Sequence, residues 1–105
     1  MLFTIPKQFD LMGQTITVEW VDELQHDKDA YGTASFRDNK ICIQKPNKHI
    51  PLPKDKLEHV FFHELAHWIM NTMGQDELML NEGFVDNLGG LMYQAIKSSK
   101  GELRY

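Results

Sequence analysis

The chain has 105 residues, of which 42% are hydrophobic and 25% are charged, and its formal net charge is −4. This length supports a single small domain, and an acidic balance without any cluster of Lys or Arg argues against nucleic acid as a partner. No apolar run approaches the roughly 20 residues that cross a bilayer, so no membrane-spanning segment is expected.

The N-terminal stretch "MLFTIPKQFD" lacks the long apolar region of a secretion signal, and the one cysteine, Cys42, has no partner for an internal disulfide. Both features favour a cytoplasmic location. No repeat, low-complexity tract or linker divides the chain. Residues 1–105 are therefore predicted to form one domain, with a strand region over 1–50 and helices over 54–73 and 77–97.

The first half of the chain has the period-two pattern of β-strands. In "TITVEWV" the side chains of Ile16, Val18 and Trp20 point to one face, and the residues between them point to the other. Phe9 and Leu11 precede this strand across "MGQ", whose glycine is suited to a turn.

Two further strands are predicted in "YGTASFRDNKICIQ", joined at the Asp-Asn pair of residues 38–39. Isoleucines alternate on the core face of the second strand, and Cys42 between them is expected to be a small buried or half-buried residue. The acidic stretch "VDELQHDKDA", residues 21–30, is predicted to be a solvated connection, with a calcium site or a substrate clamp as the alternatives.

After "KPNKHIPLP" the pattern changes to the period of an α-helix. A helix is predicted over residues 54–73, with Asp55 or the preceding prolines at its start and Gly74 at its end. His63 and His67 lie together on this helix, about 6 Å apart along the axis, opposite a broad apolar side. That apolar side consists of Leu57, Val60, Phe61, Leu65, Trp68, Ile69 and Thr72.

The second predicted helix covers residues 77–97. Glu82 and Asp86 share one of its faces, one turn apart, and an apolar face lies beside it. Gly89 and Gly90 lower helix stability by about 1 kcal/mol each, and a close approach between the two helices would explain why they are there. The apolar face consists of Leu78, Val85, Leu88, Met92 and Ile96. The predicted fold class is α+β, with a small antiparallel or mixed sheet of three to four strands followed by the two helices.

The stretch "EHVFFHELAHWIM" contains two histidines four residues apart with a glutamate between them. On a helix this spacing directs both imidazoles to one point, and the glutamate reaches a metal-bound water. His63 and His67 are therefore predicted to bind a metal ion, with Glu64 as the catalytic base. His59 lies one turn earlier on the same side, where a plain surface position is expected and a place in the cleft is the alternative.

A catalytic zinc ion usually takes three protein ligands and leaves its fourth position to water, so one more ligand is required. The stretch "NEGFVD" supplies Glu82 as that ligand, with Asp76 and Glu77 as alternatives at the start of the helix. Asp86 is placed to accept a hydrogen bond from the free ring nitrogen of a ligand histidine, which would fix the orientation of that ring.

The pairing of "HELAH" with "NEGFVD" resembles the gluzincin metallopeptidases, whose pattern is HExxH followed by a helix that carries (N)ExxxD. The short chain and its order of strands before helices resemble the minigluzincins and the peptidase domain of the ImmA/IrrE type, over residues 30–96. The resemblance implies a zincin-like fold and the activity of a zinc metallopeptidase.

The same resemblance implies a role for each residue of the two motifs. His63, His67 and Glu82 would be the ligands of Zn²⁺, Glu64 the general base, and Asp86 the carboxylate that orients a ligand. The strand "YGTASF" or its neighbour would form the rim along which an extended peptide pairs.

Two features depart from the family pattern. Only fourteen residues, 68–81, separate His67 from Glu82, so the turn at "MGQDELM" must be tight. No residue matches the family's oxyanion-stabilising Tyr or His, and Tyr31, Tyr93 and His49 are the candidates for that role.

The function predicted from the sequence is zinc-dependent peptide hydrolysis, with a peptide or protein as substrate. Zinc acts as a Lewis acid and lowers the pKa of its bound water, and Glu64 moves the proton from that water to the leaving amine. A non-catalytic or regulatory metal-binding protein is one alternative. Another is an amidohydrolase similar to peptide deformylase, with Cys42 in place of Glu82, although the Gly-Cys-Leu-Ser setting of deformylases is absent from "ICIQK".

Overall fold

The computed structural model describes residues 3–24 and 31–105. Four strands precede three helices, which confirms the α+β fold class. Most of the predicted acidic connection, residues 25–30, lies outside the described residues. The elements are β1 (Gln8–Leu11), β2 (Gln14–Val21), β3 (Gly32–Ser35), β4 (Lys40–Gln44), α1 (Lys54–Thr72), α2 (Asp76–Met79) and α3 (Glu82–Ser98). Within the described ranges, no helix combines the length and the hydropathy that a membrane span requires.

The four strands form one mixed sheet in the order β1-β2-β4-β3. β1 pairs antiparallel with β2, β2 pairs parallel with β4, and β4 pairs antiparallel with β3. Positive φ angles at Met12 (46°) and Gly13 (84°) make the tight turn that joins β1 to β2, as predicted for "MGQ". Asn39 (φ 53°) lies in the predicted turn between β3 and β4.

The hydrophobic core lies between the sheet and α1. Its buried side chains are Ile16, Ile41 and Ile43 from the strands and Leu57, Phe61, Phe62 and Trp68 from α1. The indole Nε1 of Trp68 donates a hydrogen bond to the Lys40 carbonyl at 3.2 Å, which ties the helix to β4. Of the three residues predicted to share one face of β2, Ile16 is fully buried and Val18 is half-buried. The helix α1 packs mainly over β3 and β4. The side chain of Trp20 is 52% exposed.

The long helix α1 agrees with its predicted bounds within one residue and ends before Gly74, whose φ of 72° only glycine adopts readily. It is buried on more than the predicted apolar side. Phe62, Ala66 and Met70 are also buried, because α3 packs against the side that carries the histidines. The sequence pattern predicted one packed side, whereas α1 is packed between the sheet and α3.

The predicted helix over residues 77–97 is divided in the structure. A single turn, α2, precedes α3, and the Asn81 side chain caps α3 by accepting a hydrogen bond from the Phe84 backbone N–H at 3.0 Å. The cap makes Glu82 the first residue of α3. The expected close approach of the helices occurs at Gly89, where a Cβ atom would lie 2.8 Å from the Phe62 carbonyl oxygen.

Candidate metal site and cleft

Three side chains from two helices converge at one point of the fold. His63 and His67 extend from neighbouring turns of α1, and Glu82 extends from the first turn of α3. One Glu82 carboxylate oxygen lies 3.1 Å from Nε2 of His63, and the other lies 3.2 Å from Nε2 of His67. One potential ligand atom from each of the three residues lies within 4.8 Å of the others. The structure thus brings together the three residues that the sequence predicted as metal ligands.

The alternative ligands proposed from the sequence do not join this group. Asp76 and Glu77 are exposed in the first turn of α2. Cys42 is buried on β4, and its sulfur is not part of the group of ligand atoms that the described residues form. Among the described residues, the third position therefore falls to Glu82.

Asp86 lies one turn after Glu82 and contacts the other ring nitrogen of His63. Its Oδ1 atom is 3.2 Å from His63 Nδ1, while Nε2 of the same ring faces Glu82. A neutral imidazole carries a single N–H, so it cannot donate to both carboxylates. When Nδ1–H donates to Asp86, the Nε2 lone pair faces a carboxylate oxygen, and a cation at that point relieves the repulsion. The contacts of His63 therefore suit a bound cation.

The donor set also fits zinc in chemistry and in spacing. Zinc binds imidazole nitrogen and carboxylate oxygen at about 2.0–2.2 Å, so neighbouring ligand atoms of a tetrahedral ion lie about 3.4 Å apart. The two nitrogen–oxygen distances of 3.1 and 3.2 Å are close to that separation. Burial lowers the pKa of His67, although the Glu82 carboxylate opposes this, and the neutral imidazole is the form that binds a metal.

Glu64 is buried beside the cluster, with its side chain against the start of β3. A Cβ atom on Gly32 would lie 3.2 Å from Glu64 Oε2 and 2.6 Å from Val60 Cγ1, so only glycine allows β3 to approach α1 here. Burial raises the pKa of Glu64 to about 7, with His63 lowering it and Glu82 raising it. No sequence pattern marks the role of Gly32, because the contact joins residues far apart in the chain.

A cleft of about 650 Å³ surrounds these groups. One wall is β3, which has β4 as its only strand neighbour among the described residues and so exposes a backbone edge. The opposite wall is α1, and Met79 and Leu80 close the end near Glu82. The strand β3, which was predicted to form the rim of the site, thus lies at the edge of the sheet and lines the cleft that contains the candidate metal site.

The three candidates for oxyanion stabilisation occupy different places. Tyr31 lines the cleft. The Tyr93 hydroxyl instead donates a hydrogen bond to Glu58 Oε1 at 2.9 Å, and burial raises the pKa of Tyr93 to about 12. His49 is exposed in the segment before α1 and does not line the cleft. Of the three, only Tyr31 lines the cleft.

His59 was expected at the surface, and that expectation is wrong. Its imidazole is half-buried, lines the cleft and stacks on the Tyr93 ring at a centroid distance of 6.1 Å. The Nε2 atom lies 3.7 Å from Asp86 Oδ1. The alternative, a position lining the cleft, is the one that the structure shows, because α3 covers this side of α1.

Glu58 is a buried acid that the sequence did not single out. It accepts hydrogen bonds from Lys97 Nζ at 2.8 Å and from the Tyr93 hydroxyl at 2.9 Å, which connect α1 to the C-terminal half of α3. Burial acts to raise the pKa of Glu58, but these two hydrogen bonds, together with the positive charges of Lys97 and Lys54, outweigh it and the pKa is lowered. The helix period placed Glu58 on α1, but only the fold could reveal its partners.

Comparison with known proteins gives no relative from which a function could be transferred. No protein-family model, no curated protein and no solved structure matches the chain. The likeness to gluzincins is therefore limited to the two motifs, and support for a function comes from the residues of this chain.

Proposed function

We propose that this protein is a zinc-dependent peptidase of the gluzincin type, with a zincin-like fold. The observation that carries the proposal is the convergence of two histidine Nε2 atoms and both Glu82 oxygens beside buried Glu64. Two imidazoles and one carboxylate are a ligand set of catalytic zinc sites, which leave a further position for water. When bound, a zinc ion supplies Lewis acidity, which polarises a carbonyl group and makes water a stronger acid.

Glu64 is the general base in this proposal. It takes a proton from the attacking water and returns it to the nitrogen of the departing amine. Glu64 lines the cleft, and no described residue donates a hydrogen bond to its carboxylate. Asp86 holds the Nδ1–H of His63, which keeps the Nε2 lone pair directed at the metal site.

The cleft favours an extended peptide as the substrate. The exposed edge of β3 offers backbone N–H and C=O groups, and a peptide can pair with them as an added strand. Such pairing would hold the peptide between β3 and α1, with one carbonyl group next to Glu64. Of the three oxyanion candidates, only Tyr31 lines the cleft, and its ring is in contact with Lys56. Tyr31→Phe tests whether its hydroxyl stabilises the oxyanion.

Metal analysis tests the ligand set. We expect the protein, purified without added metal, to contain about one zinc ion per chain when its metal content is measured by inductively coupled plasma mass spectrometry. Glu82→Ala should lose that ion, whereas Glu77→Ala, which removes an exposed acid of the neighbouring α2, should keep it. The deformylase alternative predicts instead that Cys42→Ser strips the metal and that Glu82→Ala does not.

A peptide library tests the activity. The wild-type protein should cleave a set of peptides that Glu64→Gln leaves intact, with both proteins holding the same amount of metal. Equal cleavage by the two proteins would exclude Glu64-dependent catalysis. Bound metal without cleavage by either protein would favour the alternative of a non-catalytic metal-binding protein.

A further inference from the structure

The charges that line the cleft are separated along its length. The carboxylates of Glu64, Glu82 and Asp86 surround the candidate metal site. Lys56 lines the cleft toward the first turn of α1, and it is the one lysine or arginine that does so among residues 3–24 and 31–105. A substrate lying along the cleft would therefore meet the candidate metal site at one end and a positive charge at the other.

The position of Lys56 on α1 gives the distance between these two ends. Lys56 precedes His63 by seven residues, which is about two turns and about 10 Å along the axis, on the same face. An extended peptide advances about 3.3 Å per residue. A group that contacts Lys56 is therefore about three residues away from the carbonyl group beside the metal site.

The ammonium group of Lys56 has no carboxylate partner within the described part of the chain. Lys40 is paired with Glu19 at 3.3 Å and Lys97 with Glu58 at 2.8 Å. Lys56 instead lies over the ring of Tyr31, with Nζ 5.7 Å from the ring centroid. Tyr31 is itself a lining residue, so this contact keeps the positive charge at the wall of the cleft.

We propose that Lys56 is a specificity-determining residue, which binds a substrate carboxylate about three residues from the bond that is cleaved. This inference rests on the proposed peptidase function. The carboxylate is either an Asp or Glu side chain or the free C-terminus of the peptide, since both offer the same charge and geometry.

Binding to the metal-loaded Glu64→Gln protein tests the proposal without the need for turnover. The probes are fluorescent ten-residue peptides in which one Asp is moved along a neutral sequence, each compared with its Asn counterpart, with free and amidated C-termini. At one position, or at the free C-terminus, the carboxylate should tighten binding about two- to fivefold, as for an exposed ion pair. In the double variant Glu64→Gln/Lys56→Glu that preference should reverse, so that the neutral counterpart binds more tightly. In the Glu64→Gln protein, 1 M salt should remove the preference.

Lys54→Glu in the same background is the matched control, because Lys54 is exposed in the same helical turn and does not line the cleft. It changes the net charge equally and should leave the preference intact. Absence of measurable peptide binding, absence of any carboxylate preference, or equal loss in both lysine variants would overturn the role of Lys56. A preference that depends on Lys56 in a protein whose wild type cleaves no peptide would refute the peptidase function and leave carboxylate binding in place.

Discussion

Two glutamates on the same helix, Glu58 and Glu64, are both removed from solvent but have different surroundings. Their exposed fractions are 1% and 7%. Glu58 accepts hydrogen bonds from Tyr93 and Lys97 on α3. Glu64 lies beside the candidate metal ligands, and none of the described residues donates a hydrogen bond to its carboxylate.

This difference places the pKa values of the two carboxyl groups on opposite sides of their ordinary value. For Glu58, burial acts to raise the pKa, but the hydrogen bonds of Lys97 and Tyr93 and the charges of Lys97 and Lys54 outweigh it, so its pKa is lowered. For Glu64, burial dominates and the pKa rises to about 7. A buried carboxylate with donors stabilises the contact of two helices, whereas one without donors is suited to exchanging protons at neutral pH. Burial alone does not distinguish the two roles, and the partners do.

The largest expected effect is on catalysis. Glu64→Gln should lower kcat/KM for a peptide selected from the library by about 10²- to 10⁴-fold, because the amide cannot accept the proton of water. Glu58→Gln should keep activity within a few-fold at 25 °C, provided that circular dichroism shows it folded. The comparison fails if Glu64→Gln keeps more than a tenth of the activity while its metal content is unchanged.

The next effect concerns the stability of the metal-free protein. A carboxyl group whose folded pKa is raised from 4.5 to about 7 favours the folded state in its protonated form. Its contribution is therefore present below pH 4.5 and is lost as the pH rises through 7. Above pH 7, Glu64→Gln should be more stable than the wild type by on the order of 3 kcal/mol.

Urea unfolding in the presence of EDTA, at pH 8 and at pH 5, measures this gain. Most of it should disappear at pH 5, where the wild-type carboxyl group is largely protonated in the folded state. An equal gain at both pH values would mean that burial of the charge is not the cause.

Glu58→Ala should have the opposite effect, a loss of about 2 kcal/mol at pH 7, because it leaves the hydroxyl of Tyr93 and the ammonium of Lys97 without their acceptor. Since the pKa of Glu58 is lowered, its contribution is present above pH 4.5 and is lost as the pH falls through its folded pKa. The loss should therefore shrink in acid. Glu77→Ala, an exposed acid of α2, is the control and should change stability by less than about 0.5 kcal/mol.

The features that the sequence predicted well depend on local periodicity. The bounds of α1 follow from its apolar pattern and from Gly74, and the spacing of four residues places His63 with His67 and Glu82 with Asp86. Each pair needs only the geometry of one helix. The meeting of the two pairs was inferred from zinc chemistry, and the contacts between α1 and α3 bring them together.

The features that the sequence did not predict depend on contacts between distant residues. The partners of Glu58 are 35 and 39 residues away along the chain, so no local pattern marks them. The exposure of Trp20 depends on where α1 lies over the sheet. The start of α3 at Glu82 was missed although Asn81 is a common helix-capping residue, because an apolar residue at position 78 fitted a continuous helix.

The smallest expected effect comes from Gly89. This residue lies on α3 between Asp86, which contacts His63, and Tyr93, which contacts Glu58. A methyl group on Gly89 would meet the backbone of Phe62 at 2.8 Å and that of His63 at 3.0 Å, so α3 would have to move away from α1. On Gly90 it would meet only His59 Nε2, at 3.6 Å, an ordinary contact. The two adjacent glycines therefore form a matched pair.

Gly89→Ala should lower the free energy of unfolding by about 1–2 kcal/mol, because the strain of overpacking exceeds the gain in helix propensity. Gly90→Ala should be neutral or more stable by up to about 1 kcal/mol, since it gains propensity without strain. Both are measured by urea unfolding, together with zinc affinity, which Gly89→Ala should weaken by shifting Glu82 from the histidines. If Gly89→Ala is as stable as Gly90→Ala and binds zinc equally well, the close approach of α1 and α3 at Gly89 does not determine the geometry of the candidate metal site.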